Sequence, residues 1–193
     1  ADAAEQGLEI LPPDVNASAW RFEPVDTRRI RYGLGGIKGT GEQAIASVVA
    51  ARTADGPFRD LFEFCRRVDK RLANRRVIEA LVKAGAFDSI DPRRSTLFAS
   101  VGVAIEAAEH AEASAHQVSL FGEGAKETLV PLVTAREWTD AERLAHEKTA
   151  LGFYVSGHPF AAHAAELAPL VKTSLSAIQP RQERFLVAGI VTA

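Results

Sequence analysis

Ile37-Lys38-Gly39-Thr40-Gly41 runs directly into Glu42-Gln43-Ala44-Ile45-Ala46-Ser47-Val48-Val49-Ala50-Ala51-Arg52. The second stretch places Ile45, Val48 and Val49 on one face of a helix from Glu42 to Arg52. In the first, Gly39 and Gly41 flank Thr40, and glycine tolerates positive φ and lets backbone approach a ligand closely. The helix start behind them presents unpaired N–H groups and a partial positive charge, which suit a phosphate oxygen. Lys38 adds a full charge beside that point.

A second copy follows. Leu81-Val82-Lys83-Ala84-Gly85-Ala86-Phe87 again runs helix, lysine, glycine turn, then a new helix start at Asp91-Pro92. It lacks the first glycine of the pair. Arg93 and Arg94 stand at that next helix start, within reach of a neighbouring phosphate. Cations there oppose the helix dipole, which favours a binding role over a stabilising one. Two helix pairs, each joined by such a turn, make a tandem helix-hairpin-helix module, an arrangement that grips DNA backbone without reading bases. The glycines are equally compatible with tight interhelix turns and no ligand at all. Arg66, Arg67, Lys70, Arg71, Arg75 and Arg76 read either as further phosphate contacts or as a solvated face. The ending of a P-loop is missing, so nucleotide hydrolysis is not supported. A repair enzyme is the rival class, because some glycosylases dock through this hairpin and carry a catalytic Asp downstream. Asp60 is placed for that, but it also stands where it would cap a helix at Leu61.

Charge agrees with the binding reading once it is divided. The 193 residues carry 23 Lys+Arg and 25 Asp+Glu, a net of -2, which alone argues against a nucleic-acid partner. From Arg28 to Arg94, however, the chain has 15 basic and 8 acidic residues, hence +7, and the remainder has 8 and 17, hence -9. Apolar residues make up 47%, ordinary for a globular chain, and no run approaches the roughly 18 apolar residues of a membrane span. The single cysteine, Cys65, lies in an apolar-periodic segment and reads as a buried thiol. No cysteine or histidine spacing marks a metal site. No signal peptide is visible, which makes the cytoplasm the default compartment. There is no methionine, so the chain reads as a piece of something longer.

Outside the two turns the pattern is mostly helical. Trp20–Glu23 and Arg29–Tyr32 alternate and form a short β-hairpin about Pro24–Thr27. Gly33–Lys38 is a one-turn helix or a turn. Leu61, Phe64, Cys65 and Val68 recur at helical spacing, and Asn74 caps a helix bearing Val77, Ile78, Leu81 and Val82. Asp91 and Pro92 are N-cap and N1 of the next, with Leu97, Phe98, Val101 and Ile105 inward. Residues 111–136 read as a loop holding an apolar island at Gln117-Val118-Ser119-Leu120-Phe121. Thr139 and Glu142 form a capping box for a helix to Leu151, ended by Gly152. A short helix follows Gly157-His158-Pro159, and Phe185–Val191 reads as a buried strand.

Several of these stretches resemble one family. Tyr32–Gly41, Gly56-Pro57-Phe58, Asp60–Cys65, Leu81–Asp88 and Leu151-Gly152-Phe153-Tyr154-Val155-Ser156-Gly157-His158-Pro159 are similar to the bacterial replicative DNA polymerase III alpha subunits, in the family's order. Leu11–Asn16 fits the same family upstream. The resemblance implies a mainly α fold: a tandem helix-hairpin-helix module flanked by a short β-hairpin and the truncated first strand of an OB-fold. It implies the end of a fingers region at 1–31, the DNA-binding module at 32–110, a loop with a clamp motif at 111–136, a helical connector at 137–183 and the OB-fold start at 184–193. The implied partners are double-stranded DNA, the beta sliding clamp and other holoenzyme subunits. The DNA-binding residues would be Lys38, Gly39, Thr40, Gly41, Lys83, Gly85, Arg93 and Arg94. Gln117, Val118, Ser119, Leu120 and Phe121 are similar to the family's clamp-binding motif. The parent enzyme's catalytic carboxylates and their Mg2+ belong upstream, so this piece is expected to hold no catalytic residue, no metal and no cofactor.

Overall fold

The computed structural model describes residues 7–121, 130–173, 178 and 186–190, with side chains described for all of these except 115–121. The architecture is mainly helical, with one small sheet. Strands β1 (Glu9–Leu11), β2 (Glu23–Pro24) and β3 (Arg29–Arg31) form a sheet in the order β1-β3-β2. β2 and β3 are the expected hairpin, although β2 begins three residues later than the alternation at Trp20 implied, at Glu23. The alternation there belongs to Trp20 turning inward against the glycines that follow. β1 is an addition: it pairs in parallel with β3, Ile10 opposite Ile30. Pro24, which cannot donate to a ladder, sits on an edge strand, where that lack is tolerated.

A single 3-10 turn, Leu34–Gly36, connects the sheet to the helices. Its glycines answer to close approach. Leu34 N–H donates to Ala19 O at 2.8 Å and Gly35 N–H to Trp20 O at 3.0 Å. A Cβ at Gly33 would collide with the Arg21 backbone, and one at Gly35 with the Trp20 indole.

Among the described residues six α-helices follow: α1 (Glu42–Asp55), α2 (Leu61–Arg67), α3 (Arg75–Lys83), α4 (Arg94–Phe121), α5 (Asp140–Leu151) and α6 (Ala161–Leu167). The side-chain caps read from the sequence are present. Asp60 accepts from Glu63 N–H, Asn74 from Val77 N–H, and Thr139 and Glu142 form a complete capping box. Gly152 ends α5 at φ 91°, in the left-handed region. One core joins helices α1 to α5, while α6 has no buried residue. Phe64 packs edge-on between Phe58 and Phe87, with both centroid distances 4.9 Å, and Ile37, Ile45, Leu61, Ile78, Leu81, Leu97 and Val101 close around them. Val15 reaches the same core, and its N–H donates to Ala86 O at 2.8 Å.

Three expectations need correction. Helix α4 starts at Arg94, two residues past Pro92, because the Asp91 carboxylate accepts from Arg93 N–H at 2.9 Å and closes a turn before the helix. The segment read as a loop from 111 is helical to Phe121: alanine-rich sequence lacks apolar periodicity but has high helix propensity. Within the described part of the supposed terminal strand, 186–190, there is no strand, and Leu186 is 63% exposed.

Cys65 is buried at 1% exposure, and burial pushes its thiol up to about 12. An unfolded thiol ionises near the ordinary 9.0, so the folded state's advantage is complete below that value and is lost as pH rises towards about 12. A disulfide reagent at pH 8 is expected to label Cys65 only on unfolding; labelling of the native chain at the rate of a free thiol would contradict this core.

Candidate nucleic-acid interface

The first hairpin is built from inside out. Ile37 is anchored in the core at 1% exposure. Thr40 Oγ lies 2.7 Å from Ile37 O and 2.9 Å from Leu34 O, so its hydroxyl proton is given to the turn's own carbonyls. Thr40 therefore shapes the turn and does not present its hydroxyl to a ligand. Gly39 has φ 90°, which only glycine adopts readily, and nothing lies within 4 Å of where a Cβ on Gly39 or Gly41 would be. The outer face of the turn is thus open. Gly41 is the N-cap of α1 and offers no side-chain acceptor, unlike Asp60, Asn74 and Thr139 at their helices. The first N–H groups of α1 are left for another acceptor. Glu42, exposed in that first turn, opposes an anion and weakens the site. Lys38 is exposed, and its backbone N–H donates to Ala150 O of α5 at 2.7 Å.

The second hairpin has the same backbone signature and a different environment. Gly85 has φ 79° and is buried. The Arg94 guanidinium occupies the space beside its Cα. Arg94, read from the sequence as a phosphate contact, is 6% exposed and structural. It donates to Asp88 through Nε (2.8 Å) and Nη2 (2.6 Å), and its Nη1 lies 3.4 Å from Glu147 Oε1. Burial depresses the guanidinium's pKa, but the carboxylates of Asp88 and Glu147 outweigh it and leave the pKa raised. Glu147 is 1% exposed and accepts from Val155 N–H at 2.7 Å and Ser156 N–H at 2.9 Å. The ammonium of Lys83 lies over the Phe98 ring, 4.8 Å from its centre. Phe98 packs on Trp138, whose ring lies at a tilt 4.1 Å from that of His146. Burial, and then the charge of Lys83, lower the His146 pKa. Arg93 remains at the surface but is paired with Asp91 at 2.7 Å. One hairpin is open, and the other is filled by its own chain.

Much of the local positive charge is likewise engaged. Arg67 donates to Ala51 O at 2.7 Å and Gly56 O at 2.6 Å, and its guanidinium lies 4.6 Å from the Phe58 ring centre. It pins the α1–α2 turn. Arg52 donates to the carbonyls of Val15 and Ser18, Arg71 pairs with Asp69, Arg75 with Glu79 and Lys70 with Glu112. These contacts give many of the basic side chains a structural partner, but the acids between 28 and 94 are already subtracted in the +7, so the surplus of positive charge remains. Asp60, the repair-enzyme candidate, is committed to its helix cap, with Glu63 N–H at 2.7 Å. Among the described residues no group of three or more His, Cys, Asp or Glu is placed to hold a metal ion. No helix among them is long and apolar enough to cross a membrane.

The fold and the open turn define a helix-hairpin-helix protein, and a family model described as the helix-hairpin-helix motif matches residues 7–97. Over its whole length the chain is 47% identical to a DNA polymerase III subunit alpha of Neisseria meningitidis serogroup B and 39% identical to that of Vibrio cholerae. It is 37% identical, over 97% of its length, to that of Escherichia coli K12. The chain belongs to the family of bacterial DNA polymerase III alpha subunits and spans 17% of the length of these relatives.

Glu147 is the residue that sequence reasoning overlooked. A signal existed: it stands at i+3 from Leu144 and i−4 from Leu151, an acid within an apolar stripe. Such a position calls for a buried cation or backbone donors. Removing one partner of a buried ion pair strands the other, at about 3–5 kcal/mol. Because Asp88 keeps partial access to water, Arg94→Met is expected at the lower end, a loss of about 3 kcal/mol in urea unfolding. A loss below about 1 kcal/mol would show the network to be dispensable.

Proposed function

We propose that this segment holds duplex DNA by its backbone for a replicative polymerase and docks that polymerase on its sliding clamp. The observation that carries the DNA reading is the Gly39–Gly41 turn, open on its outer face, leading into a helix start without a side-chain cap and flanked by the exposed Lys38. Backbone N–H groups at a helix start accept a phosphate oxygen whatever the base sequence. The second hairpin supports the first from within, and Lys83, Gly85 and Arg94 are not offered as contacts. Arg93 is a peripheral contact at most one ion-pair exchange away from a phosphate. The kinship with DNA polymerase III alpha subunits supports the setting, with DNA synthesis carried out by parts of such a protein outside this chain.

The clamp reading rests on the pentapeptide Gln117–Phe121, whose side chains lie outside the described residues. Its backbone forms the end of α4. Ala108 is the last buried residue among the helix's described side chains, and Glu109–Ala113 are all exposed. Gln117 supplies an amide for a polar subsite, and Leu120 and Phe121 enter an apolar cleft at about 1.5–3 kcal/mol each before ordering costs. Such a contact is weak alone and becomes useful when the same protein also holds DNA, through effective concentration.

Lys38→Ala is expected to weaken duplex binding to a similar extent for every sequence and to reduce the slope of log K against log salt by about 1. Unchanged affinity, or altered sequence preference, would overturn the hairpin reading. Leu120→Ala with Phe121→Ala is expected to abolish capture of the chain on immobilised clamp while sparing duplex binding. Undiminished capture would refute the clamp reading. Release of bases or strand cleavage by the chain would favour the repair alternative.

A further inference from the structure

Helix α5 touches both hairpins within one turn. Glu147 faces the second, through Arg94 and thence Asp88 beside Gly85. Ala150, three residues on and so on the same side of the helix, accepts the Lys38 N–H of the first at 2.7 Å. Gly152 then ends the helix, and the end of the Lys38 side chain lies beside it: a Cβ there would stand 3.5 Å from both Cε and Nζ of Lys38, an ordinary van der Waals contact. The lysine is thus held at the C-terminal, partly negative end of α5. Glu147 also fixes the chain that leaves the helix, through the N–H groups of Val155 and Ser156.

We infer that Glu147 is a positioning residue for DNA binding: by locking α5 against the filled hairpin, it holds the Ala150 carbonyl that sets Lys38 and the open turn in their binding geometry. The inference rests on the DNA-backbone reading above. It assigns Glu147 no contact with DNA. Its side chain is enclosed, and a carboxylate would repel phosphate.

The test is Glu147→Gln in the full chain, which keeps an acceptor for Val155 and Ser156 but removes the charge opposite Arg94. Two quantities are measured: hydrogen exchange of the Lys38 amide, and duplex affinity across a salt series. Exchange at Lys38 should quicken by roughly tenfold as local opening becomes easier. Affinity should fall roughly fivefold, within the range that supporting residues modulate, with the salt slope unchanged because no phosphate contact is lost. Val101→Ala, a core change elsewhere in α4, controls for general loss of stability. At a temperature where its overall stability matches, it should leave the Lys38 amide and the affinity near wild type. If Glu147→Gln does not fold, Gly152→Ala, which strains the left-handed end of α5 and leaves the ion pair intact, should reproduce the same pair of effects. The inference is overturned if Lys38 exchange is unchanged, or if Val101→Ala moves both readouts equally. A wild-type chain that fails to bind duplex DNA would instead sink the DNA reading, and the exchange measurement would still decide whether α5 braces the turn.

Discussion

A buried guanidinium holds this structure together. Arg94 lies at the start of α4, against the glycine that ends the α3 turn, and is shared between Asp88 on one side and Glu147 of α5 on the other. A cation at that end of a helix is disfavoured by the helix dipole, and burial adds a desolvation cost. Both are tolerable only because the carboxylates satisfy the fork. Once the three groups are fixed, the α3–α4 turn has its shape, α5 has its place, and the chain beyond Gly152 is tied back through Val155 and Ser156.

The same constraint separates two hairpins that look alike in sequence. Each ends in a lysine and a left-handed glycine, at φ 90° for Gly39 and 79° for Gly85. What differs is what stands next to the glycine: open space at Gly39, a guanidinium at Gly85. The tandem motif is therefore asymmetric in structure. One half meets solvent, and the other half serves as the wall on which α5 is mounted. Most of the arginines between 28 and 94 also satisfy carbonyls or carboxylates of their own chain, as Arg67 does at Ala51 and Gly56, while the net positive charge of that stretch remains.

Local signals in the sequence were legible where the physics is local. Asp60, Asn74, Thr139 with Glu142, and Gly152 mark helix ends by side-chain chemistry or by φ alone, and each is found in that role. The apolar faces of α1 to α3 follow from periodicity. What was not legible depends on contacts distant in sequence. The parallel pairing of β1 with β3 joins Ile10 to Ile30, and no alternation in Glu9–Leu11 announces it. Arg94 at a helix start resembles a phosphate ligand until Glu147, 53 residues away, is seen to meet it. The alanine-rich run after residue 110 has no apolar stripe, and it is helical nonetheless.

The claim that one hairpin contacts DNA while the other supports it is tested most directly by a hydrogen-exchange footprint of the full chain with and without duplex DNA. The account predicts added protection at the amides of residues 38–44, with those of 84–94 unchanged. Protection at 84–94 with none at 38–44 would contradict it.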